Sequence, residues 1–144
     1  MHIVLLFVIL MIPALAFPFN GKLSGPGNAV YSSGTELPCS EIFLELELTQ
    51  TSFHLHQGGY ICGFLQAGFD SFKMDIRNGQ LWHQDQQLGH VSANKISYQV
   101  YDPADGSTYF FTLTKEQSGY QYFEEWHDGN KIALKVSGRL NHID

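Results

Sequence analysis

Cys39 and Cys62 fall opposite one another if the chain folds back about the tetrad Thr49-Gln50-Thr51-Ser52. No other feature of the sequence constrains the fold as tightly. The same register sets Leu48 against Phe53 and Leu46 against Leu55 on one face, with Glu47 against His54 and Glu45 against His56 on the other. One hairpin therefore accounts for the cysteine spacing, the apolar alternation and the placement of acids against imidazoles. It predicts a Cys39–Cys62 disulfide on an antiparallel sheet.

A structural disulfide requires an oxidising compartment, and the N-terminus agrees. Ile3 through Ile12 are unbroken apolar residues, and Ala14-Leu15-Ala16 has the small-x-small pattern of a signal-peptidase site, although His2 stands where a Lys or Arg is usual. Residues 1–16 are expected to be a cleaved signal peptide, and the protein secreted or periplasmic. The run is shorter than the ~20 residues needed to span a bilayer, and no cysteine follows the cleavage site, so no membrane anchor is expected. About 128 residues remain, enough to bury one core without a metal or a partner subunit. With 14 acidic against 8 basic side chains and a net charge of −6, a phosphate-backbone partner is excluded.

From Glu41 onward apolar residues recur at every second position, and no stretch keeps a helical period. Ile42, Leu44, Leu46 and Leu48 alternate with acids; Phe72, Met74 and Ile76 alternate with Lys73, Asp75 and Arg77; Ile132, Leu134 and Val136 alternate with Lys135 and Ser137. Turn signals fall at Gly58-Gly59, Asn78-Gly79, Asp85-Gln86, Asp102 to Gly106, Gln117 to Gly119 and Asp128 to Asn130. The fold class is all-β, a single antiparallel up-and-down meander. Closure into a small barrel of about eight strands removes both open edges; a two-sheet β-sandwich is the alternative. The segment Gly21 to Gly25 matches Val136 to Leu140 in its spacing of Leu and Gly, which marks these as the strands that meet at the seam. Residues 17–38 are expected to be an irregular N-terminal segment with a first strand near Gly21, crossing irregularly from 26 to 38 into a barrel domain of residues 39–144. By architecture this shape is similar to small ligand-binding barrels such as lipocalins and avidins. Gly21-Lys22-Leu23 carries Leu where the lipocalin start pattern has Trp, so no family follows, and a barrel alone specifies no function.

Chemistry is concentrated between Tyr120 and Ile132. A three-residue loop Asp128-Gly129-Asn130 pairs Trp126 with Ile132, Glu124 with Leu134 and Tyr122 with Val136, which turns Tyr122, Glu124 and Trp126 inward beside Tyr109, Phe111 and Leu113. A two-residue turn at Asp128-Gly129 would turn Phe123, Glu125 and His127 inward instead. The inward acid defines a ligand site of Tyr109, Phe111, Tyr122, Glu124 and Trp126, suited to a small cationic or aromatic molecule; a solidly packed interior is the competing outcome. His83 joins this list, because a two-residue Asn78-Gly79 turn pairs Met74 with it and faces the imidazole toward the core.

His54 and His56 point the same way on a strand and are the candidate metal ligands, of a type that suits zinc or copper, with no third ligand set by spacing. Phe43, Phe110 and Phe123 turn outward and would serve a protein partner in an interaction or inhibitor module. The chain has no Gly-x-Ser-x-Gly elbow, its cysteines are committed, and Glu124 and Glu125 point to opposite faces, so no enzymatic activity and no cofactor are expected.

Overall fold

The computed structural model describes residues 19–144; the signal peptide expected over residues 1–16 lies outside them. Every regular element among the described residues is a strand. In chain order they are β1 (Asn20–Tyr31), β2 (Glu36–Leu48), β3 (Ser52–Cys62), β4 (Leu65–Phe69), β5 (Phe72–Arg77), β6 (Gln80–His83), β7 (Gln86–Val91), β8 (Lys95–Asp102), β9 (Ser107–Lys115), β10 (Tyr120–Asp128) and β11 (Lys131–Ile143). All neighbours are antiparallel, and each strand from β5 to β11 pairs with the next. β11 then pairs with β1, β1 with β2, β2 with β3, and β3 with both β4 and β5, so hydrogen bonds run around a complete ring.

β1 and β11 are the strands that meet at the seam, with Gly27 opposite Gly138 and Leu23 opposite His142. Glycine is required here by close approach of backbones. A Cβ on Gly25 would lie 2.0 Å from the Arg139 carbonyl oxygen, and one on Gly27 would lie 2.2 Å from that of Ser137. The segment from 26 to 38, whose Gly, Ser and Pro content predicts an irregular crossing, runs instead as the end of β1, a short turn, and the start of β2. Proline is tolerated because Pro26 sits at a bulge, where Ser40 and Glu41 of β2 face it alone between the pairs Gly25–Ile42 and Gly27–Cys39.

That bulge determines how the disulfide forms. The tetrad turn places Leu48 against Phe53, Glu47 against His54 and Leu46 against Leu55, in the expected register. Beyond it His56 is an extra residue, so Glu45 meets Gln57 rather than His56, and the Glu45–His56 pair expected from the hairpin is not made. The slip would place Ser40, not Cys39, across from Cys62. The second bulge, at Ser40 and Glu41, reverses the alternation and turns Cys39 back inside, where it forms the disulfide with Cys62. Both cysteines are buried.

Two turns also differ from expectation. Gly58-Gly59 is not a turn but mid-strand, because Gly59 lets β4 approach so closely that a Cβ there would meet the Ala67 carbonyl oxygen at 2.2 Å; the reversal comes at Gly63, with φ 61°. The β6–β7 turn falls one residue early, with Gln84 in the left-handed region at φ 56°. Asn78-Gly79 forms the two-residue turn as expected, with φ of 51° and 74° and Arg77 opposite Gln80.

The core is one face of the ring: Leu23, Ile42, Leu44, Leu46, Phe53, Leu55, Met74, Leu81, Ile96, Phe111, Leu113, Tyr122, Val136 and Leu140 are buried. Gly27→Ala should destabilise the protein by roughly 2 kcal/mol or more, since a clash with a carbonyl inside a ladder has nowhere to relax. Gly68→Ala, where an added Cβ meets nothing within 4 Å, should stay within about 0.5 kcal/mol of wild type. Urea denaturation of the two variants checks the contrast. Reducing the disulfide should cost about 3 kcal/mol by the loop-entropy account, read in the same assay.

Candidate ligand site

Glu124 faces inward and is fully buried, the one buried charged residue among those described. Its orientation is as expected, but the register that produces it is not. The β10–β11 turn uses only Gly129 and Asn130, with Asp128 opposite Lys131 and His127 opposite Ile132. That pairing alone would turn Glu124 outward. A bulge at Ala133 restores the alternation, so Trp126 meets Leu134, Glu124 meets Val136 and Tyr122 meets Gly138. On the other side β9 supplies the expected neighbours, with Leu113 beside Tyr122, Phe111 beside Glu124 and Tyr109 beside Trp126.

The carboxylate is held by three donors. Trp126 Nε1–H and the Tyr60 hydroxyl donate to Oε1, the latter at 3.4 Å, and the Tyr122 hydroxyl donates to Oε2. No Lys, Arg or His pairs with Glu124 among the described residues. Burial pushes its carboxyl up to about 7, while the Tyr122, Trp126 and Tyr60 hydrogen bonds pull the other way. Burial first, then the Glu124 charge, raises the hydroxyls of Tyr60, Tyr98, Tyr109 and Tyr122, so all four stay neutral.

Above this acid the ring opens into a cavity of about 310 Å³. Phe69, Phe72, Tyr98, Tyr109 and Trp126 form its aromatic wall, Leu55, Ala67 and Val100 add aliphatic surface, and the exposed carboxylates of Asp70 and Asp102 stand at the mouth. No basic side chain lines it. Tyr109 meets Trp126 edge-on at 5.2 Å between ring centroids and Phe69 at 6.0 Å. Trp126 thus has two roles: its ring is cavity wall and its N–H is tied to Glu124.

Of the expected ligand residues, Tyr109 and Trp126 line the cavity. Glu124 lies beneath it, and Phe111 and Tyr122 are packed in the core below. His83 is a correction: it is exposed, not turned to the core. The β5–β6 ladder stops at Asp75–Trp82, so the expected Met74–His83 pair is not made, and the exposed imidazole lies 5.0 Å from Phe72 and within 3.3 Å of the Lys73 carbonyl. Tyr60, Phe69, Phe72 and Tyr98 were not legible as site residues. Reading Gly58-Gly59 as a turn hides the inward position of Tyr60, and no local pattern brings β4 and β8 to one mouth.

His54 and His56 lie side by side on the outer face, their rings 3.8 Å apart. His54 bonds Ser71 at 2.7 Å, and His56 faces Glu47 at 3.6 Å. Slight burial, with His56 and Lys73 adding, lowers the His54 pKa. Among the described residues no group of three or more His, Cys, Asp or Glu is placed to hold a metal ion. No protein-family model matches this chain, and no curated protein matches it in sequence.

The raised Glu124 pKa has a definite sign for stability. Between pH 4.5 and 7 the folded protein retains a proton that the unfolded chain gives up, so stability falls across that window and levels off above it. The effect is on the order of 3 kcal/mol. Glu124→Gln should therefore gain stability relative to wild type between pH 5 and pH 8. Urea midpoints at the two pH values test this, and a constant difference would show that Glu124 holds no such proton.

Proposed function

We propose that this chain is an exported β-barrel binding protein whose ligand is a small organic cation with an apolar body. The observation that carries this reading is an aromatic-walled cavity with carboxylates at its mouth, another beneath its floor, and no basic residue in its lining. Aromatic faces attract cations, and the attraction strengthens when both are desolvated; the net charge of −6 adds a favourable long-range field. The complete ring of strand pairing supports a barrel, and the disulfide fits an oxidising, extracellular or periplasmic setting. The reading is of binding rather than catalysis: the buried acid is tied to three side-chain donors, and the neighbouring tyrosines remain protonated.

The two other readings of the chain have less support. Outward Phe43, Phe110 and Phe123 are each half-buried, and Phe110 is covered by His127 at 4.5 Å between ring centroids. Metal capture at His54 and His56 has only the paired rings and Glu47 to draw on.

The probe is benzyltrimethylammonium, followed by Trp126 fluorescence in a Trp82→Phe background. Saturable binding is expected, at least tenfold weaker for Trp126→Leu, in keeping with the ~1.4 kcal/mol that a cation–π contact in a dry site contributes. Binding should strengthen as pH rises through about 7. Equal affinity for neopentylbenzene, the neutral isostere, would refute the cation reading.

A further inference from the structure

The cavity coincides with a place where two strand edges of the ring lack a neighbour. β4 has one strand neighbour, β3. β8 pairs with β7 only from Ile96 to Tyr98, so residues 99–102 have β9 on one side and no strand on the other. β4 and this end of β8 both line the cavity, through Ala67 to Asp70 and through Val100 and Asp102. Their Cα atoms are more than 8 Å apart at nearly every residue pair, well beyond the ~4.8 Å of paired strands. Two backbone edges without a strand partner therefore border an aromatic-walled cavity.

An exposed apolar ring lies close in sequence to each edge. Phe64, 80% exposed, precedes β4 and stacks on Tyr31, and Tyr101, 59% exposed, lies within the unpaired part of β8. These are the two most exposed large apolar side chains among the described residues. Long, unpaired, apolar edges are usually blunted by charge, proline or a covering element. Here the charges at the slot are Asp70 and Asp102, and they are acidic on both sides.

Resting on the reading of the cavity as a site for a cation, we infer that its ligand is a short, extended, positively charged peptide that adds as a strand in the slot between β4 and residues 99–102 of β8. Its backbone amides would satisfy the free edges, as in other strand-addition complexes. An alternate side chain would descend onto Tyr109 and Trp126, and a basic group would meet Asp70 or Asp102. The unpaired stretch is four to five residues on each edge, which sets the length the slot can read.

The test uses a pool of tetrapeptides containing one lysine, one phenylalanine and two alanines in every order, alongside the same pool N-methylated at each backbone amide. The unmethylated pool should bind at least tenfold more tightly and slow hydrogen exchange in residues 65–70 and 99–102. Phe64→Ser with Tyr101→Ser should weaken the peptides several-fold and leave benzyltrimethylammonium unaffected. Equal binding of the two pools, or unchanged exchange at both edges, overturns the peptide while leaving the small-cation reading in place if benzyltrimethylammonium still binds. Failure of the pools and of the ammonium ion overturns both. Protection of the same amides without peptide, rising with protein concentration together with dimer mass by light scattering, assigns the edges to a second copy and also overturns it.

Discussion

A side chain on a strand can point to only one of two faces, and each bulge exchanges them for everything beyond it. This parity constraint governs the whole molecule, because the ring has a dry face and a wet one and no strand can be wrong by one residue without exposing its core set. The chain meets the constraint with paired deviations. The extra residue at His56 is answered by the extra residue at Ser40 and Glu41, and the short turn at Gly129 and Asn130 by the bulge at Ala133. The disulfide is the product of the first compensation and the inward Glu124 of the second.

Glu124 illustrates what parity can impose. A carboxyl in an apolar interior is costly unless paired or protonated, and here the site supplies donors but no cation. The result is an acid whose proton is held up to about pH 7 and an indole locked in place at the cavity wall. Phe111, Leu113, Tyr120 and Tyr122 fill the interior below the aromatic cavity. An open cavity and a solidly packed core thus coexist in one sheet.

Much of this was legible in the residues. Alternation from Ile42 to Leu48 and the tetrad turn were enough for the β2–β3 hairpin and its cross-strand pairs up to Leu46. Asn78-Gly79 announced its turn because those residues tolerate positive φ, and the matching Leu and Gly of the first and last strands marked the seam, where small residues permit close backbones. His83 is exposed because the β5–β6 ladder stops at Trp82, one residue short of the Met74–His83 pair that alternation predicts. The site was legible in part, as the cavity residues Tyr109 and Trp126 and the buried Glu124 beside them, since these share one local hairpin. Phe69, Phe72 and Tyr98 come from strands whose approach depends on distant pairings.

By itself the sequence determined the all-β class, the antiparallel order of most strands and the pairing of the two cysteines, because period-two patterning, turn chemistry and composition are local properties. Only the tertiary structure decided where bulges reset the alternation and so which acid lies inside, which interior residues pack and which line a cavity, and that β4 and the end of β8 bring unpaired edges to that cavity. Those outcomes depend on how backbones accommodate one another around a complete ring, a requirement that no single segment of chain can express.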